Sequence, residues 1–268
     1  MTELKHTFKT DILFKLLFSK NPNLLKRLTS HFLQIPYESI THFQVENPEM
    51  SPDVLGNKFC RLDIHMTVNG QSVTLEVQVE NRSNYPERTL FYWARTYSSK
   101  LPAGDDYSML PRTIVISILR DTLFKQSTEF HSEFQALEVT RNQPLTDKLV
   151  LKFYELSKLP TDTNKDNRLL QWLRLFKANT VEELKEIDDL EVPELSEAIN
   201  AYHTVTASEE FKEIERLRLK ASHDEAQAIS DAEKRGSEQE RQKWQNVVTD
   251  KDAQIEKLKE QLANLNKN

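Results

Sequence analysis

Residues 60–80 read CRLDIHMTVNGQSVTLEVQVE, two stretches of alternating character around Asn69-Gly70. Asn-Gly between alternating runs is the strongest short-range signal of a β-hairpin closed by a two-residue turn. Such a turn fixes the pairing, and because strand side chains alternate with period 2 it also fixes which residues share a face. Leu62, Ile64, Met66 and Val68 fall on one face with Val73, Leu75, Val77 and Val79. Arg61, Asp63, His65 and Thr67 share the other with Thr74, Glu76, Gln78 and Glu80. One face reads as core and the other as polar. In this register Asp63 stands directly opposite Glu76, where two like charges are destabilising. Something must either neutralise the pair or use it.

Three uses are open on pattern alone. The carboxylates can share a proton as an acid–base pair. They can bind a hard divalent cation: Mg²⁺ takes one or two protein carboxylates and keeps its other positions for water and phosphate oxygens. They can also be a solvated face, balanced by cations such as Arg61 and Arg82. The cation reading gives Gln78 a task, since it lies two residues beyond Glu76 on the same face and can orient a water for attack on phosphorus.

The rest of the chain sets the frame. TDILFKLLFSKNPNLLKRLTSHFLQ has helical spacing with an interruption at Asn21-Pro22. Residues 41–57 read as a loop. NYPERTLFYWARTYSSKLPAG predicts a helix from about Pro86 to Lys100, and RTIVISIL a strand buried on both faces. EFHSEFQALEVT and KLVLKFYEL read as a second strand pair. Helix, hairpin, helix, strand and hairpin in that order make an α/β arrangement with a mixed sheet over residues 1–160. Residues 161–207 read as packed helices. From about Ser208 to the end the chain has no proline and is dominated by Glu, Lys, Arg and Gln. Ile255, Leu258, Leu262 and Leu265 fall on a/d positions, with Val248 and Trp244 in the same register. Upstream, Lys234, Ser237 and Arg241 occupy that seam, so about three heptads qualify. The 208–268 tail is either a short coiled coil that makes the chain a homo-oligomer, a dimer at its simplest, or a solvated helix.

Composition removes several classes. The one cysteine, Cys60, excludes an internal disulfide framework and a multi-cysteine zinc site, and its place on the apolar hairpin face makes it a small core residue. Four glycines leave no Gly-rich phosphate cradle. The histidines have no metal-ligand spacing, and no Ser-His-Asp set is indicated. No run is long and apolar enough to span a bilayer, and the N-terminus lacks a signal-peptide core, so a cytoplasmic location is expected. The net charge of −6 belongs to the C-terminal part, and residues 1–160 are close to neutral. That permits DNA as a partner without predicting it. Asp11 and Lys15, one turn apart, read either as a surface ion pair or as site residues. His65 reads as structural, or as a phosphate or water contact. Tyr92, Trp93 and Tyr97 read as core, with Tyr92 or Arg95 able to face the site, and Tyr107 as a loop residue.

Taken in order, TDILFKLLF, RLDIHMTVNGQSVTLEVQ, YWARTYSSKLPAGDDYSMLPRTIVISIL and LTDKLVLKFYELSKL resemble the PD-(D/E)xK nuclease core. They are most similar to the recombination-promoting nuclease/putative transposase family, a bacterial branch with a Glu-x-Gln signature. The resemblance covers roughly residues 8–160. It implies a restriction-endonuclease-like fold and Mg²⁺-dependent, or Mn²⁺-dependent, endonucleolytic hydrolysis of DNA, in recombination and mobile elements or in phage defence. It implies Asp63 and Glu76 as metal ligands, Gln78 in the place usually held by a lysine, and Asp11 as the early acidic residue of the first helix. Two departures stand out: no cationic group occupies position 78, and the tail looks more like a coiled coil than the C-terminal segment of relatives. A rival from another class is a nuclease-like module kept for binding DNA or protein and oligomerised by its tail. A pure coiled-coil scaffold would leave the polar hairpin face unexplained.

Overall fold

The turn at Asn69-Gly70 sets the architecture. Both residues have positive φ, 48° and 77°, the requirement of the hairpin turn whose twist matches its strands. It joins β2 (Ile64–Val68) to β3 (Gln71–Gln78), antiparallel, with Ile64 opposite Leu75 and His65 opposite Thr74. This is the register read from the sequence. The computed structural model describes residues 2–46, 64–79, 84–161 and 166–265. Cys60, Arg61, Leu62, Asp63, Glu80 and Arg82, all used in the sequence reading, lie outside the described residues.

The segment expected to be loop contains a strand. β1 (Phe43–Val45) pairs antiparallel with β2, Phe43 opposite Val68. At three residues it is too short to show a period, and a side chain elsewhere holds it in place. The Asn69 Oδ1 accepts from the backbone N–H groups of Thr41 and His42, each at 3.0 Å, and its Nδ2 donates to the Ser39 carbonyl at 2.8 Å.

After β3 the chain crosses through α3 (Tyr85–Ser99) to β4 (Thr113–Leu119), which lies parallel to β3. β6 (Leu149–Glu155) is parallel to β4, and β5 (His131–Phe134) closes the edge antiparallel to β6. The sheet is mixed, six strands in the order β1-β2-β3-β4-β6-β5. All of β4 is buried, as its unbroken apolar run required. β5 is shorter than its alternating pattern; beyond it only Leu137 bridges to Pro144.

Ile64, Met66, Val73, Leu75, Ile114, Ile116, Ile118, Val150 and Tyr154 point to one face and join the large core. That face is covered from α1 (Asp11–Lys20), α2 (Pro22–Leu33), α4 (Arg168–Lys177), α5 (Val181–Asp188) and α6 (Pro193–Ala207). The break between α1 and α2 falls where expected, with Pro22 opening α2, where a missing N–H costs nothing. Phe14, Phe18, Trp172 and Phe176 pack ring against ring, tying α1 to α4. Buried Lys9 donates to the carbonyls of Phe176, Lys177 and Ala178 at 2.9–3.3 Å, placing a cation where a helix leaves its last carbonyls unpaired. The helices of 161–207, set out above as a region of their own, therefore share a core with α1 and α2, and the first compact unit runs to Glu215.

The last helix, α7, spans Glu209–Leu265. Its first turns belong to the first unit, where Phe211 and Ile214 are buried. The described residues of the second unit, from Arg216, all belong to this helix, with Trp244, Val248, Ile255, Leu258 and Leu262 exposed along it. No helix among the described residues is long and apolar enough to cross a membrane.

Candidate active site

The second face of the sheet differs. Here β3 presents Ser72, Thr74, Glu76 and Gln78, and the register sets Glu76 beside Ser117 of β4 and Gln78 beside Leu119. Hairpin alternation predicts a polar face open to water. Instead Ser72, Thr74 and Glu76 are all buried, Glu76 being 7% exposed. The cover is the start of α3: Tyr85 joins Val115, Leu119, Leu151 and Phe153 in a small second core. A carboxylate taken out of water needs partners, and Glu76 has two. The Tyr85 hydroxyl donates to its Oε1, and so does the Ser117 hydroxyl, at 3.0 Å. Burial pushes the Tyr85 phenol well above its ordinary value of 10.0, and the charge and hydrogen bond of Glu76 push it the same way. Tyr85 is therefore a standing donor across the neutral and alkaline range.

Both hydrogen bonds converge on Oε1, and among the described residues neither reaches Oε2. Glu155, at the end of β6, is the useful contrast. It is fully buried, accepts from the backbone N–H groups of Leu123 and Phe124 at 2.5 and 3.0 Å, and pairs with Lys158 at 2.7 Å through its other oxygen. Both oxygens of Glu155 are used, so it clamps a loop. Glu76 is fixed by one oxygen and keeps the other, an arrangement that suits a ligand to a hard cation.

Gln78 is half-buried at the carboxyl end of β3. In open α/β sheets, crevices for ligands form beyond such strand ends. Its Oε1 accepts from the guanidinium of Arg88 at 2.8 Å. Arg88 also lies over the Tyr85 ring, 5.0 Å from its centroid. The first turns of α3 thus hold Glu76 through Tyr85 and Gln78 through Arg88.

The other candidates are placed as follows. Asp11 opens α1 and is half-buried, its Oδ1 accepting from the Ile12 N–H at 2.9 Å. Lys15, one turn on, is 2% exposed, so the surface-pair reading is wrong: α1 turns that side inward. His65 is half-buried with its Nδ1 3.0 Å from the Thr74 hydroxyl. Tyr92, Trp93 and Tyr97 are half-buried, and only Tyr85 and Thr89 of α3 are fully buried; Trp93 packs against the small second core. Trp93 stacks on Tyr97 and donates to the Thr113 carbonyl at 2.9 Å. Arg95 and Tyr107 are exposed. Asp63 lies outside the described residues. Among those described, no group of three or more His, Cys, Asp or Glu side chains is arranged to hold a metal ion.

The sequence reading missed Tyr85, Ser117 and Arg88. Ser117 was visible as a hydroxyl inside the apolar run Ile114–Leu119. Tyr85 and Arg88 share a helix face by their spacing of three, but only the crossover shows which strand that face meets.

A family model described as PD-(D/E)XK nuclease family transposase matches residues 8–232. No curated protein and no solved structure matches the chain. The mixed sheet with helices on both faces and a long C-terminal helix agrees with that family's fold. The chain belongs to the PD-(D/E)XK nuclease family transposases.

Proposed function

We propose that this PD-(D/E)XK nuclease family transposase is a DNA endonuclease that hydrolyses phosphodiester bonds with Mg²⁺, or Mn²⁺ in its place, serving recombination and mobile elements or phage defence. The observation that carries this reading is Glu76, a buried carboxylate steadied on one oxygen by two hydroxyls, with no bond to the other from the described residues. The donor set fits a hard cation, and two protein carboxylates are as many as Mg²⁺ usually takes. Glu76 and Asp63, which directly precedes the first described residue of β2, would hold the ion. When bound, it supplies Lewis acidity and lowers the pKa of water. The chain's own residues do the positioning. Tyr85 and Ser117 fix the Glu76 carboxylate, Gln78 aligns the attacking water with phosphorus, and Asp11 adds acidic charge from the start of α1.

Exposed Trp244, Val248, Ile255, Leu258 and Leu262 recur at heptad spacing along α7. We assign this stripe to pairing with a second copy, giving two sites per assembly. A monomer by light scattering at micromolar concentration removes that assignment.

One observation favours the rival reading, a non-catalytic binding module: position 78 carries Gln, so no cationic side chain stands where the nuclease core usually has a lysine. Calorimetric titration with Mn²⁺ separates the two. The nuclease reading expects binding that is lost in Asp63→Ala and in Glu76→Gln while both variants melt like the wild type. A folded wild type that takes up no divalent ion supports the binding module.

A further inference from the structure

Gln78 is the one site residue whose useful end is ambiguous. A carboxamide has an accepting oxygen and a donating NH₂, and which one faces the substrate decides what it does. Arg88 removes the ambiguity. Guanidinium has donors only, so the end of Gln78 that meets Arg88 at 2.8 Å is its oxygen, and the NH₂ is turned the other way. The hydrogen bond comes from a group charged at every working pH, which polarises the amide and strengthens its N–H donors. Arg88 is itself held in place. Its guanidinium lies over the ring of Tyr85, one turn earlier on α3, and Tyr85 is anchored by donating to Glu76. One short stretch of helix thereby links the carboxylate and the carboxamide of β3 into a single rigid set.

We propose that Arg88 is the positioning residue of this site. It presents the NH₂ of Gln78, a donor, to the phosphate and the attacking water. This rests on the nuclease reading above. It gives Gln78 a donor's role, steadying an oxygen.

The test is steady-state cleavage of supercoiled plasmid in Mg²⁺ by wild type, Arg88→Met, Arg88→Lys, Gln78→Ala and the Gln78→Ala/Arg88→Met double variant, each first shown to melt like wild type. Losing the orientation should lower kcat about 100-fold in Arg88→Met. KM for plasmid and the Mg²⁺ concentration giving half-maximal rate should not move. Arg88→Lys, which keeps a cationic donor without the planar fork, should recover part of the loss. The double variant should be no slower than Gln78→Ala alone, because Arg88 acts through Gln78. Wild-type kcat in Arg88→Met overturns the proposal, as does a loss in the double variant equal to the product of the two single losses. A raised KM with a shallower salt dependence also overturns it, because that marks a direct phosphate contact. Should Arg88→Met not fold, the Arg88→Lys and Gln78→Ala pair decides: a lysine variant slower than wild type and faster than Gln78→Ala, with KM unchanged, upholds the proposal, and one at wild-type rate or as slow as Gln78→Ala overturns it. Plasmid left intact by a folded wild type is a different failure, since it removes the nuclease reading and this inference with it.

Discussion

The two faces of the sheet both bury side chains, but they are built differently. Toward α1, α2, α4 and α6, strands β2, β3, β4 and β6 contribute almost only Ile, Leu, Met, Val and Tyr, and aromatic rings fill the space between α1 and α4. Toward α3 the same strands bury Ser72, Thr74, Glu76, Thr113, Ser117 and Glu155 beside a small group of apolar side chains. Apolar burial contributes stability roughly in proportion to area, so the first face carries most of the fold's stability. The second holds polar groups, each of which must be paired. Residues are kept there at some cost in stability, which is understandable if they are needed for chemistry. Even within the second face the division continues: Glu155 is saturated and structural, and Glu76 keeps an oxygen in reserve.

This comparison can be broken in several ways. Trp172→Ala, in the large core, should lower stability by about 3–5 kcal/mol, read as a shift in the urea midpoint, and the folded fraction should bind Mn²⁺ as before. Loss of Mn²⁺ binding by folded Trp172→Ala would mean the two faces are not separable. Tyr85→Phe keeps the ring and removes the donor to Glu76, and should cost about 1.5–3 kcal/mol. It also has a pH signature. Because the folded phenol titrates above its ordinary 10.0, the unfolded chain releases its proton first. Stability is therefore full below pH 10 and falls as pH rises beyond it. Tyr85→Phe should flatten that fall in urea melts between pH 9 and pH 11, and an unchanged slope would show that the hydroxyl is not held as described. Ser117→Ala removes the weaker donor and should cost about 1 kcal/mol.

The smallest effect lies on the apolar side. Burial alone would raise Glu194, but its hydrogen bonds to His31 and Trp172 and the charge of His31 outweigh that and hold it below the ordinary 4.5. Its contribution is present above pH 4.5 and is lost as pH falls below it. Glu194→Gln should flatten the acid limb of the stability curve and change stability at pH 7 by under about 1 kcal/mol. A change confined to the alkaline side would contradict the assignment.

Much of this was legible in the sequence because it depends on neighbours along the chain. Asn69-Gly70 announces its turn, and the turn dictates the register of Ile64 against Leu75. The apolar run Thr113–Leu119 announces a central strand, and Pro22 a helix start. What was not legible depends on what comes from elsewhere to cover a surface. Alternation marks Thr74, Glu76 and Gln78 as sharing a face, but water and α3 satisfy that pattern equally well, so the burial of Glu76 could not be read. Lys15 looked like half of a surface pair because spacing gives no direction. β1 was missed because Asn69, over twenty residues away, supplies the hydrogen bonds that hold its approach. Pattern alone sets Glu76 and Gln78 on one face, whereas Tyr85, Ser117 and Arg88, which give them their orientation, required the crossover.

The most direct measurement is conversion of supercoiled plasmid by purified wild type, Glu76→Gln and Asp63→Ala in Mg²⁺, with folding of each confirmed by its melt. The account expects cleavage by wild type that stops on chelation and is absent from both variants. A folded wild type that leaves the plasmid intact in both Mg²⁺ and Mn²⁺, or a Glu76→Gln variant that cuts at the wild-type rate, would contradict it.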